Sequence, residues 1–225
     1  MTLKKQKASG SKYRKSPDTV PDSIKTDVLI IGAGAAGLMC AGIAAARGRS
    51  VIVAEHTDRI AEKIRISGGG RCNFTNLESA PDKYLSSNPH FCVSALKRFS
   101  AQDFIKMVEG RGIPYHEKTL GQLFCDHSAT DIIDMLVDLC TSSNANIRTK
   151  TTIHELSQNA DGTFTARTTI GNITAQSVVI ATGGLSVPKI GATPFGYEIA
   201  KQFGINIIPP RAGLVPLTFD QDTLS

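Results

Sequence analysis

Two glycine-rich stretches have the residue types and spacing to do chemistry: GAGAAG at 32–37 and SGGGRCN at 67–73. The first is a GxGxxG pattern. An apolar run, DVLII at 27–31, precedes it, and an Ala-rich segment follows. In such a turn Gly32 permits the tight reversal, Gly34 lets backbone approach a diphosphate, and Gly37 lets the helix pack on the strand. The diphosphate would lie on the helix N-terminus, where free N–H groups and the helix dipole favour anions. An acidic residue, Glu55, ends the next apolar run, 18 residues past Gly37. A carboxylate there accepts both hydroxyls of a ribose and repels a 2′-phosphate. The expected ligand of this turn is therefore a dinucleotide without that phosphate.

The second stretch favours a longer ligand. Three consecutive glycines are costly to order. Lys63, Arg65 and Arg71 bring positive charge to that backbone, and Ser67, Asn73 and Thr75 offer short polar groups. Such a loop suits the diphosphate, ribitol and ring of FAD rather than the shorter reach of NAD. A third glycine-rich segment, ATGG at 181–184, follows the apolar SVVI. A strand ending this way brings bare backbone to the carboxyl edge of a sheet, where open α/β folds bind ligands.

The elements that must position these residues are legible from periodicity. Strands are expected over 27–31 and 50–55, with a helix over 35–48 between them. That makes a βαβ unit and a parallel pair. A loop region follows to about Pro89, then helices near 92–99 and 101–110. PYHEKTLGQLFC reads as a hairpin about Gly121. A helix begins after Ser128, with Asp131 completing a capping box. The stretches ANIRTKTTIHEL, GTFTARTTIG and NITAQSVVIATGG read as a three-stranded meander whose last strand rejoins the main sheet. A further helix is expected over 194–203. The predicted fold class is α/β: a Rossmann-like FAD-binding domain with a parallel sheet plus a three-stranded β-meander.

Composition narrows the class. Of 225 residues, 41% are hydrophobic and 20% charged, ordinary for a globular protein. No apolar run reaches a membrane-spanning length, so no membrane partner is expected. The five cysteines form no CxxC pair. They read as free thiols in a reducing compartment, hence a cytoplasmic protein with no disulfide framework and no metal site. The absence of neighbouring thiols also argues against a dithiol reductase. The net charge of +5 resides in residues 1–25, with seven Lys/Arg and two Asp. This segment reads as a disordered basic tail. Only Tyr13 interleaves its charges, so a solvated extension is favoured over a nucleic-acid arm, and nucleic acid is not the expected partner. The domain reading is a tail over 1–25, an FAD-binding domain over 26–208, and the truncated start of an inserted β-rich domain over 209–225.

Four segments together, GAGAAGLMCA, KIRISGGGRCNFTN, FCDHSATDI and VVIATGGLSVPKIGATPFGYEIAKQFG, resemble the BaiN/RdsA-like flavoproteins, also called YhiN-like or aminoacetone-oxidase-like. The resemblance covers about residues 26–220, the N-terminal part of such proteins. It implies FAD as cofactor, NAD(P)H as a possible electron donor, and hydride transfer to or from a small organic substrate. It also implies a set of binding residues. Gly32, Gly34, Ala35, Ala36, Gly37 and Glu55 would hold the ADP half. Lys63, Ser67, Gly68, Gly69, Gly70 and Asn73 would line the path to the flavin. Ile153 would hold adenine through its backbone, and Thr182 and Gly183 would close the site. No catalytic residue is identified. Cys72 reads as a packed small residue, and Cys125, Asp126 and His127 point in different directions as neighbours along the chain. The alternatives to a flavin oxidoreductase are a non-catalytic flavoprotein fragment and an RNA-associated flavoprotein.

Overall fold

A computed structural model describes residues 23–213. Residues 1–22 of the basic segment and residues 214–225 of the expected second domain lie outside this range. The main sheet has six strands in the order β6-β2-β1-β9-β8-β7. At its centre are β1 (Ser23–Ile31), β2 (Val51–Ala54) and β9 (Gly171–Ile180), with β6 (Asn146–Arg148) at one edge. These four run parallel. The other edge is the antiparallel pair β7 (Ile153–Gln158) and β8 (Phe164–Thr168), joined to β9 as a meander.

β1 begins four residues before the apolar run. Ser23, Ile24 and Lys25, expected in the tail, pair instead with Asn172, Ile173 and Thr174. The long β9 supplies the ladder, and Ile24 packs on the adjacent core. The segment expected as the first meander strand divides in two. Its first part, β6, joins β2 at the far edge. At Lys150, with φ of 55°, the chain turns and enters β7. Backbone bonds tie this turn to the end of β2, from Lys150 N–H to Thr57 and from Thr151 N–H to Glu55, both 2.8 Å.

Two layers of apolar side chains cover the sheet. On one side α1 (Ala35–Ala46) and α5 (Ala129–Ser142) pack together, burying Leu38, Ala41, Ile133 and Leu136 beneath Ile30 and Val53. Their approach is close enough that a Cβ on Gly42 would lie 2.4 Å from Leu139. On the other side α6 (Phe195–Gln202) and the meander bury Leu29, Ile31, Leu156 and Ile173. Ser128 caps α5 by accepting from Thr130 N–H, but the capping box expected with Asp131 does not form, and Asp131 Oδ2 is buried without a hydrogen bond among the described residues. A full box is found at Ser100 and Asp103, opening α4 (Ala101–Gly110).

Between β2 and α5 the expected loop is more ordered than periodicity indicates. Up to Pro89 it contains α2 (Glu62–Ile66), a short 3-10 turn over Ser67–Gly70 and β3 (Asn73–Asn76), and α3 (Val93–Arg98) then forms where a helix is expected. β3 joins the expected hairpin, β4 (Tyr115–Glu117) and β5 (Gln122–Cys125), in a small sheet of order β3-β5-β4. A four-residue strand with one bulge carries too short a pattern to be read without its partner.

The crossing of α1 over the end of β1 sets the tightest geometry. A Cβ at Gly37 would stand 1.9 Å from the Gly32 carbonyl oxygen, which is backbone and cannot yield. Gly37→Ala is therefore expected to lower unfolding stability by about 3 kcal/mol or more, read from denaturant midpoints. A loss below ~1 kcal/mol would show that the crossing can relax.

Candidate functional site

The site lies along the carboxyl ends of β1, β2 and β9, where three turns meet. The first follows β1. Gly32 has φ of +106°, and a Cβ there would stand 2.6 Å from the Ala181 carbonyl oxygen, so both torsion and space demand glycine. Its N–H donates to Ala54 at 2.8 Å, continuing the parallel ladder. Gly34 is different. It caps α1 with φ of −85°, which any residue adopts, and a Cβ there would meet no protein atom within 4 Å. Neither strain nor packing accounts for this glycine. The space in front of it is a cavity bordered by Gly32, Gly34, Ala35, Ala36 and Lys63.

Glu55 directly follows β2 and is only 8% exposed. Its Oε2 accepts from Ala33 N–H at 3.0 Å, and its Oε1 accepts from Thr57 N–H at 2.9 Å, with His56 Nδ1 at 3.0 Å. The carboxylate thus clamps the glycine turn to the end of the neighbouring strand. Each carboxylate oxygen has two acceptor directions. Oε2, with one bond of its own, retains a free direction for a ligand hydroxyl.

The third turn follows β9. Gly183 has φ of +71°, and Lys63 Nζ reaches across to donate to the Gly184 carbonyl at 2.6 Å. This bond joins α2 to the ATGG segment over 121 positions of chain. Thr182 packs beneath α6, where a Cβ on Gly196 would lie 2.6 Å from its hydroxyl oxygen.

Three cavities run along this edge. The first, about 320 Å³, lies between Glu55, His56, Thr151, Ile153 and Phe195. The second, about 500 Å³, lies over the α1 N-terminus and includes Thr182 and Gly183. The third, about 460 Å³, continues past Ala35, Ala36 and Lys63 to Ser67 and Asn73, with Phe74 and Phe104 as an apolar wall. Glu55 and Gly32 border the first two, and Ala35, Ala36 and Lys63 border the last two. The result is one extended track rather than separate holes.

Most of the residues singled out in the sequence meet on this track: Gly32, Gly34, Ala35, Ala36, Glu55, Lys63, Ser67, Asn73, Ile153, Thr182 and Gly183. Gly37 sits behind it as a packing residue. Gly68, Gly69 and Gly70 border none of the three cavities. All three have positive φ, from 57° to 88°. At Gly68 a Cβ would also meet the Phe124 ring at 2.6 Å. Their role in the fold is a left-handed turn that carries the chain from Ser67 to Asn73. Ser67 Oγ donates to Ile64 at 2.8 Å, and the Asn73 carboxamide, oriented with its nitrogen toward β5, donates to Leu123 and Thr75 at 3.2 and 3.1 Å.

Sequence reading passed over His56, Thr151, Thr152 and Phe195, which wall the first cavity. Thr151 and Thr152 follow a strand that joins β2 edge to edge, so strand order was the missing signal. Cys72 and Cys125 are packing residues, as their types suggest. Burial pushes the Cys72 thiol up, and burial foremost, then its neighbours Cys72 and Asp131, pushes Cys125 up to about 12. Neither is a thiolate at neutral pH. Among the described residues no cluster of His, Cys, Asp and Glu can hold a metal ion, and no helix is long and apolar enough to cross a membrane.

Replacing Glu55 by Gln turns an acceptor pair into one acceptor and one donor. The new NH₂ must then face either Ala33 N–H or Thr57 N–H. Glu55→Gln is expected to cost the ligand-free protein about 1–3 kcal/mol, measured by urea unfolding. An unchanged midpoint would mean that the clamp is not needed to hold the turn.

Comparison with known proteins accords with this architecture. The chain is 52% identical over 198 residues to a ribosomal RNA dihydrouridine synthase of Escherichia coli K12, covering 88% of this chain and 49% of that protein. The protein of the same name from Haemophilus influenzae is 50% identical, with 85% and 48% covered. A 3-dehydro-bile acid delta(4,6)-reductase of Clostridium scindens is 30% identical, with 84% and 46% covered. The chain thus spans about half the length of the curated relatives it matches. Among solved structures, the open conformation of a flavocytochrome c3 fumarate reductase superposes with a TM-score of 0.52 at 22% identity, covering 79% of this chain and 40% of that one. That likeness concerns the fold. Residues 26–224 match the model of the HI0933-like protein Rossmann domain, and the chain belongs to that family.

Proposed function

We propose that this chain is the FAD-binding part of an oxidoreductase that passes hydride from a reduced nicotinamide to a uracil base of ribosomal RNA. The observation that carries the cofactor assignment is Gly34, a glycine with ordinary φ and nothing within 4 Å of its missing Cβ. A bare backbone with open space before a helix N-terminus is what a diphosphate requires. The length of the track favours FAD over a shorter dinucleotide.

In this reading the N–H groups at the start of α1, from Gly34 to Ala36, receive the diphosphate. Glu55 accepts one ribose hydroxyl in the direction left free on Oε2, since Oε1 already serves Thr57 and His56. The first cavity takes the adenine against Ile153, whose backbone is at the start of β7. Thr182 and Gly183 close the track from the β9 side. Lys63 places a cation where the second and third cavities join, beside the ribitol path. Ser67 and Asn73 stand at the far end, positioned by the turn of Gly68, Gly69 and Gly70. FAD supplies a ring that accepts and passes on a hydride when bound. The protein holds it in one orientation and excludes water from it.

The choice of RNA is supported by two relatives that are half identical to this chain and carry that activity in their names. It replaces the small organic substrate that the resemblance implies, and it departs from the expectation that nucleic acid is not a partner, because a basic tail without interleaved aromatics says nothing about the rest of the surface. A small organic substrate is a second reading, favoured by the 30%-identical bile acid reductase.

The test uses the full-length protein. It is expected to carry FAD and to convert uridine to dihydrouridine in ribosomal RNA with NADH or NADPH, scored by nucleoside mass spectrometry. A flavin-loaded protein that reduces bile-acid-type enones and leaves RNA untouched would favour the second reading. Gly34→Ala tests the cofactor site separately. Unfolding stability of the ligand-free form is expected to change by less than about 1 kcal/mol. FAD affinity is expected to fall at least about tenfold, about 1.4 kcal/mol. Equal affinity would overturn the placement of the diphosphate.

A further inference from the structure

The surface beside the mouth of the third cavity carries aromatic rings and positive charge that the fold does not use. Over residues 83–99 only Cys92 is buried and only Leu96 is half-buried. These two, at i and i+4, form the inward face of α3. The other large apolar side chains point outward: Phe91 is 54% exposed and Leu85 98%. The Phe91 ring meets Tyr84 edge-on at 6.5 Å, so the two stand together as a pair. Lys97 and Arg98, in the last turn of α3, are exposed and form no ion pair among the described residues. No Asp or Glu occurs between Lys83 and Phe99. The carboxylate that precedes the segment, Asp82, pairs with Lys83 at 3.5 Å.

Phe99 joins this surface to the site. It caps the C-terminus of α3, borders the third cavity, and places its ring 6.4 Å from Phe104 in the cavity wall. Phe104 in turn lies 6.1 Å from Phe74, the other ring of that wall. Phe91 stands at the opposite end of α3, about 12 Å away at ~1.5 Å per residue. The segment therefore leads outward from the end of the cofactor track over the length of one short helix. Exposed apolar groups of this size mark an interaction surface. Rings alone would fit a protein, and cations alone would fit any anion. Rings interleaved with cations, with no carboxylate among them, fit unpaired nucleic acid, whose bases stack on the rings while its phosphates meet Lys and Arg.

We propose that residues 83–99 bind the single-stranded RNA that flanks the reduced uridine, with bases stacked on Tyr84 and Phe91 and phosphates held by Lys97 and Arg98. This rests on the reading of the chain as part of a uracil-reducing flavoprotein, and it extends that reading from the cofactor to the substrate strand. A base stacked between its neighbours cannot enter a cavity, so the target must leave its stack. Stacking the flanking bases on Tyr84 and Phe91 offsets part of that cost and keeps the strand at the cavity mouth. Phe99, 39% exposed and bordering the cavity, stands where the extruded base passes inward. Because Asp82 offsets the charge of Lys83, Lys97 and Arg98 are the principal phosphate contacts.

The experiment uses the full-length, FAD-loaded protein with an oligouridine of about 12 nucleotides, an RNA duplex of the same length, and ribosomal RNA. The wild type is expected to prefer the single strand, with an affinity that falls as salt rises. Phe91→Leu keeps apolar bulk and loses the flat ring. Its affinity for oligouridine is expected to fall about fivefold or more, with the salt slope unchanged. Lys97→Gln combined with Arg98→Gln is expected to lower affinity about tenfold and to shrink the salt slope by about 1.4, two phosphates at ~0.7 each. With ribosomal RNA as substrate, KM is expected to rise in both variants while kcat stays within about twofold. FAD content and melting temperature are expected to stay at wild-type values, since the replaced side chains are exposed. Variants that bind RNA as the wild type does, in a protein that still forms dihydrouridine, would overturn the surface and leave the uracil reading standing. A lowered melting temperature or a changed oligomeric state in Phe91→Leu, with RNA affinity kept, would overturn it in favour of a face covered by protein. A wild type that binds oligouridine through these residues and forms no dihydrouridine would support the surface and overturn the reading beneath it. One that neither binds nor reduces RNA would overturn both.

Discussion

No side chain fits between the Gly32 carbonyl and α1 at Gly37, and the rest of the molecule is arranged around that contact. A Cβ at Gly37 would intrude to 1.9 Å, and one at Gly32 would strike the Ala181 carbonyl at 2.6 Å. Three backbone segments therefore converge at the carboxyl edge of the sheet with only hydrogen between them. The approach aims the first turn of α1 along the edge, so its unsatisfied N–H groups face the open track. A single added methyl would push the helix away and misdirect those donors.

Glu55 holds what the glycines allow. A carboxylate with two oxygens can bond two turns at once, and here it bonds Ala33 on one side and Thr57 on the other. Because the residue is nearly buried, these charge-assisted bonds are made where water competes least. The end of β6 is tied to the same place through Thr151 N–H. Strand order thus matters to the site. The β6 edge delivers threonines to the first cavity, and the carboxyl end of the interior strand β9 delivers Thr182 and Gly183 to the second.

The small sheet has a different part. Its inner face places Cys125 and Tyr115 against the α4 and α5 side, with Tyr115 edge-on to Phe74 at 5.5 Å. Its outer face carries Phe124 and His116. Alternation along two short strands therefore separates the wall packed on the helices from a face on which Phe124 is covered and His116 is exposed. Phe124 links the two regions, since it packs on Gly68 on one side and supports His116 on the other.

The βαβ unit and its glycine turn were legible in the sequence because each part has a local cause. Apolar runs make buried strands, an Ala-rich stretch makes a helix, and glycine spacing marks the turn. Glu55 was legible by its place at the end of β2. Gly32, Gly34 and Gly37 look alike in sequence, yet only tertiary structure separates their reasons: torsion and space at Gly32, space at Gly37, and neither at Gly34. The glycine run at 68–70 was legible as a special backbone, but its left-handed turn and its contact with Phe124 depend on a strand some fifty residues later. The division of the 146–158 segment between opposite edges of the sheet left no local mark, because the same Thr- and Ile-rich pattern serves either edge. His116 and Asp126 are ten positions apart and joined only by β4–β5 register. Composition and periodicity decide which segments fold and which faces they bury. Which side chains then meet across strands is decided by pairing, which no stretch of this sequence encodes alone.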